Sequence, residues 1–72
     1  MEYKMELMKQ RVREVVTNEC LLKDLDLEHI EFGCTHAEYM VGQEVPFDTS
    51  VHSGIAVAWQ DYWHTRKPGK LV

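Results

Sequence analysis

Residues 48–67, DTSVHSGIAVAWQDYWHTRK, constrain the fold of this chain more than any other stretch. Stepping about 100° per residue, Val51, Tyr62, Ile55, Trp59, His52, Trp63 and Ala56 share one arc of about 140°. Gln60, Ser53, His64 and Asp61 lie opposite, with Val57 the one apolar residue among them. The pattern predicts an amphipathic helix with a wide buried face. Gly54 and Ala58, at the edge of the arc, form a ridge of small side chains over which a second backbone can pass closely. A helical glycine costs roughly 0.5–1 kcal/mol relative to alanine, so Gly54 is expected to have a packing reason. Asp48, Thr49 and Ser50 are candidate N-caps, and Arg66, Lys67, Pro68 and Gly69 make a basic, broken end.

Residues 2–17 predict a second helix. Met1, Met5, Met8, Val12 and Val15 recur at alternating spacings of four and three, and Val16 widens the stripe. Glu6, Gln10, Arg13 and Thr17 face away, while Tyr3 and Leu7 leave a smaller apolar patch. The methionines read as core filler or as an adaptable binding face. At Thr17-Asn18 the period slips. From there a helix capped by Asn18 would place Leu22, Leu25, His29 and Phe32 on one face, whereas strand alternation would pair Ile30, Phe32 and Cys34. The strong helix formers favour helix to about Leu25, with residues 26–33 open between the two and Gly33 a stop. Thr35-His36-Ala37-Glu38 fits a capping box opening a short helix, residues 36–41, that Gly42 closes. Residues 43–50 read as a connector, in which Pro46 holds Val45 extended and Phe47 staples onto the last helix.

The expected fold is therefore all-α: one small domain of three to four helices, residues 1–17 and 48–67 forming the main antiparallel pair. Residues 68–72 are expected to be a loose tail. A chain of 72 residues buries only about 60% of its unfolded surface. The excess of apolar surface on the first and last helices makes a homodimer a reasonable expectation.

Twelve acidic against eight basic residues give a net charge of −4, which disfavours a nucleic-acid-coating role. No apolar run approaches the ~20 residues that span a bilayer. Met1 is followed by a charged amphipathic run rather than an apolar leader, so a cytoplasmic protein with reduced Cys20 and Cys34 is expected.

Little chemistry is legible. Cys20, His29, Cys34 and His36 are the candidate zinc ligands, but their spacings, H-x₄-C and C-x-H with Cys20 alone, do not match paired structural sites. Cys34 with His29 or His36 could form a nucleophile–base pair, yet nothing in the pattern supplies an orienting group or an oxyanion site. Asp24, Asp26, Glu28 and Glu31 form an acidic cluster without the glycine and closing glutamate of a calcium loop. No enzyme activity and no cofactor are expected.

The aromatics stand out. Trp59, Tyr62 and Trp63 either fill the core or leave a ring at the surface, where tryptophan and tyrosine anchor protein interfaces. The expected function is stoichiometric protein binding, as a small acidic regulator, inhibitor or adaptor. The expected contact residues are Trp63, Tyr62, His52, Arg66 and Lys67. A nucleic-acid- or ribosome-associated factor using Arg66, Lys67 and Lys70 with the aromatics is the alternative, and a zinc-stabilised module the third reading.

Overall fold

Strong helix formers dominate the chain between two polar turns, and they fold as three helices: α1 (Glu2–Leu22), α2 (Leu27–Gly42) and α3 (Phe47–Arg66). The computed structural model describes residues 2–66, so the tail expected to be loose lies outside the described residues. No helix among the described residues is long and apolar enough to cross a membrane.

Both turns are built alike. Past the end of α1, the Asp24 amide donates to the Leu21 carbonyl (3.0 Å) and the Leu25 amide to the Cys20 carbonyl (3.2 Å), with Asp24 left-handed at φ 62°. Past α2, the Glu44 amide donates to Val41 (2.9 Å) and the Val45 amide to Met40 (3.1 Å), with Glu44 at φ 66°. Each is a Schellman C-cap in which the residue after the left-handed one turns inward. Leu25 is buried and Val45 half-buried. Neither turn uses glycine, although a left-handed residue bearing a Cβ is strained by roughly 1–2 kcal/mol. Glu44→Gly should therefore raise the unfolding free energy by about 0.5–1 kcal/mol after glycine's own entropy is subtracted. Urea denaturation checks this, and a loss of stability would contradict the turn geometry. Asp24→Gly should gain less, because aspartate tolerates the left-handed region better.

Short turns at both ends of α2 make an up-down-up bundle. α1 and α3 each run antiparallel to α2, and so run parallel to one another. Thr17 Oγ1 meets Cys34 Sγ at 3.3 Å across the first pair, and His29 meets Asp61 across the second. This corrects the expected architecture, in which the terminal helices formed the main antiparallel pair. The closest approach is instead between α2 and α3, where their backbones cross at Gly33 and Gly54. A Cβ at Gly54 would lie 2.8 Å from the Ala37 Cβ, 2.8 Å from the Gly33 carbonyl oxygen and 3.2 Å from Val16 Cγ2. A Cβ at Gly33 would collide with the Gly54 carbonyl oxygen and lie 2.9 Å from the Ala58 Cβ. Gly33-x₃-Ala37 on α2 thus meets Ser50-x₃-Gly54-x₃-Ala58 on α3. Dispersion gains depend on such proximity, so small residues here bring many backbone atoms into contact.

Local expectations change in all three helices. Gly33 does not stop a helix, and Thr35 is an exposed mid-helix residue rather than a cap, so residues 27–42 form one helix. The slip at Thr17-Asn18 does not end α1, because Val12, Val16 and Cys20 carry a buried stripe through it. α3 begins at Phe47, ahead of the candidate caps. Ser50 is buried there, its hydroxyl donating to the Pro46 carbonyl at 3.1 Å.

The core is made of modest side chains: Val12, Val16, Cys20, Leu25, Ile30, Cys34, Ala37, Val41, Val51 and Ala58. None of the seven aromatic residues is fully buried. Close helix packing leaves no room for rings between the helices, and they are displaced to the flanks.

Candidate functional site

The displaced rings organise the surface. On α3, Trp59, Tyr62 and Trp63 follow the i, i+3, i+4 spacing that places side chains together on a helix. Trp59 and Trp63 stack nearly parallel, with centroids 6.0 Å apart and 12° between planes. Tyr62 stands edge-on to both, at 5.7 Å from Trp59 and 5.8 Å from Trp63. Trp59 and Tyr62 pack against the core, whereas Trp63 remains 57% exposed.

Beneath Tyr62 lies His29, edge-on at 5.5 Å. His29 is one of two buried polar side chains among the described residues, the other being Ser50. Its Nδ1–H donates to the Asp61 carboxylate at 2.6 Å, satisfying a polar group that would otherwise be costly to bury. The ring Nε2 lies 3.7 Å from the Asp26 carboxylate. His29 therefore ties α2 to α3 and fixes the floor on which the aromatic cluster rests. On the other side of α2, the Arg13 guanidinium bridges Glu31 and Glu38, the latter at 2.6 Å. Glu31 first and then Glu38 push the guanidinium further above its already high range, so it is a fixed charge.

A second set of rings continues the surface. Trp59, Gln60, Trp63 and His64 border one shallow hollow; Gln60 and His64 also border the next, with Phe32 and Val57; Phe32 and Val57 border a third with His36 and Tyr39. The result is one track from the C-terminal half of α3 across the α2–α3 seam and along α2. Phe32 is 56% and Tyr39 65% exposed. This half was missed in the sequence. The signal was present: on an unbroken helix Glu28, Phe32, His36 and Tyr39 share one stripe, and Val57 is the apolar residue on the wrong side of α3. A break placed at Gly33 hides the stripe.

The expected contact residues are distributed as follows. Trp63 and Tyr62 sit together in the cluster. His52 is exposed on the same outward stripe of α3 as Trp63, three turns toward the N-terminus, and does not join it. Arg66 is the last residue of α3, and Lys67 lies outside the described residues.

The residues weighed for zinc do not converge. His29 faces Asp61, Cys34 contacts Thr17 from the core, and His36 borders the outer seam. No three His, Cys, Asp or Glu side chains among the described residues are grouped to hold a metal. Burial pushes both the Cys20 and the Cys34 thiol up, which holds them in the protonated, poorly nucleophilic form. The geometry can offer apolar area, π-faces and a few hydrogen-bonding edges, and neither cysteine lines the surface track. Compared with known protein families, curated proteins and solved structures, the chain matches none.

Proposed function

We propose that this protein is a non-catalytic, stoichiometric protein-binding module whose contact surface is the aromatic track. One observation carries the reading: a tryptophan more than half exposed is held flat against a second tryptophan, in line with two more exposed rings, Phe32 and Tyr39. A free surface gains nothing from presenting these rings to water, because burying such a side chain is worth about 1.5–3 kcal/mol. Stacking fixes the Trp63 rotamer in advance, so binding orders little that is not already ordered. Tryptophan and tyrosine so placed are the residue types that dominate interface energetics. The track itself carries no lysine or arginine, which weighs against the nucleic-acid alternative.

The test is affinity capture from the native host with the wild-type protein and with Trp63→Ala, compared by quantitative mass spectrometry. The reading expects a protein recovered by the first and lost from the second, while circular dichroism shows the variant still helical. Identical recoveries from both would contradict it.

A further inference from the structure

Charge is unevenly placed along this chain. No lysine or arginine occurs between Lys23 and Arg66, yet eight of the twelve acidic residues do. The whole of α2, the turn after it and the track-bearing part of α3 are therefore free of lysine and arginine, and Lys23 opens the turn before α2. Two of those carboxylates, Glu31 and Glu38, share the single cation Arg13 from α1, and Asp61 is engaged by His29. Glu28 remains exposed one turn before Phe32, and Glu44 remains exposed in the turn beyond Tyr39. The track thus has an apolar floor and a negative rim at both ends. Its exposed rings also receive no cation from their own segment, although aromatic faces attract lysine and arginine.

The dimensions narrow the occupant. Phe32 to Tyr39 spans seven residues of α2, or ~10 Å, and Val57 to Trp63 spans six residues of α3, or ~9 Å. Val57 borders both halves, so the track runs for roughly 19 Å, which is three to four turns of a further helix. A seam between two antiparallel helices is the natural bed for such a helix, whose addition makes a four-helix arrangement.

We propose that the partner engages this track through a basic amphipathic helix, with aliphatic anchors at i, i+3, i+4, i+7 and i+11 and lysine or arginine on its flanks. The inference rests on the protein-binding reading and specifies the chemistry of the partner. Tyr39 receives the anchor at one end, Phe32 and Val57 the middle anchors and Trp63 the one at the other end. Glu28 and Glu44 meet the flanking cations, whose aliphatic stems lie over the rings.

The probe is a synthetic peptide of leucine and lysine alone, about three turns long with that anchor spacing, titrated into the wild-type protein and followed by tryptophan fluorescence and amide NMR shifts. Saturable one-to-one binding is expected, with shifts concentrated along the track. Phe32→Ala with Tyr39→Ala should weaken it at least about tenfold, and so should Glu28→Lys with Glu44→Lys. All four residues are exposed, so these variants should fold. Raising the salt should weaken binding by screening the rim. Equal binding of the same peptide with glutamate for lysine, or no shifts at about 1 mM peptide, would overturn the inference. Sedimentation showing a dimer that Phe32→Ala with Tyr39→Ala dissociates would assign the track to a second copy and overturn it as well. A Trp63-dependent partner that docks through an acidic or uncharged segment would leave the protein-binding reading standing and overturn this one.

Discussion

Gly54→Leu is expected to lower the unfolding free energy by about 2–3 kcal/mol, a large share of the ~3–5 kcal/mol that a core in a chain this small supplies. Two effects oppose each other. Leucine is the better helix former by roughly 1 kcal/mol. Against that, the first added carbon already lies 2.8 Å from the Gly33 carbonyl oxygen and 2.8 Å from the Ala37 Cβ. Main-chain atoms of a packed helix cannot step aside as a flexible side chain can, so the helices must separate and the buried contacts around Val16, Ala37 and Ala58 loosen together. Gly42→Ala is the internal comparison. A Cβ there meets only the far end of the Lys9 side chain, at 3.7 Å, and propensity should win with a gain of up to about 1 kcal/mol. Urea unfolding of the two variants checks both signs. A raised midpoint for Gly54→Leu would mean that the α2–α3 crossing is not where the fold is held.

The second large effect separates the two tryptophans. Trp59 packs against the core while remaining partly exposed, so Trp59→Ala should cost about 2–3 kcal/mol, below the 3–5 kcal/mol of a fully buried ring. Trp63 contributes its stack on Trp59 and its edge contact with Tyr62. Aromatic pairs of this kind are worth about 0.5–1.5 kcal/mol, and Trp63→Ala should cost about that much. Equilibrium unfolding followed by circular dichroism at the helical band measures both without depending on the deleted fluorophore. Equal losses would make Trp63 a second structural ring, and its exposure would then need a different account.

How much of this was legible in the sequence depended on whether a residue's neighbours lay on its own helix. The helical character of α3 and the packing role of Gly54 and Ala58 needed only that helix and were legible, but its buried face was not. Gly54 and Ala58 lie at the centre of that face rather than its edge, and His52, Ala56 and Trp63, expected within it, are exposed. Gly33 was not legible. A glycine breaks a helix or admits a neighbouring backbone, and only Gly54 on the opposite helix decides between the two. That one residue concealed the continuity of α2 and with it the stripe of Phe32 and Tyr39. The turn after α1 was obscured for a different reason: its left-handed position holds Asp24 where glycine would have marked a helix end, whereas the turn after α2 was legible from Gly42 and Pro46. The pairing of helices followed from the turns, so an unseen turn after α1 also put the terminal helices in the wrong relative direction. His29 could not be placed by type alone, since its role comes from Asp61 on another helix.

The surface reading is tested most directly by calorimetric titration of the captured partner into the wild-type protein and into Trp63→Ala. The account predicts a loss of at least about 2 kcal/mol in binding, close to thirtyfold in affinity, in a variant that stays folded. Equal affinities for the two proteins would contradict it.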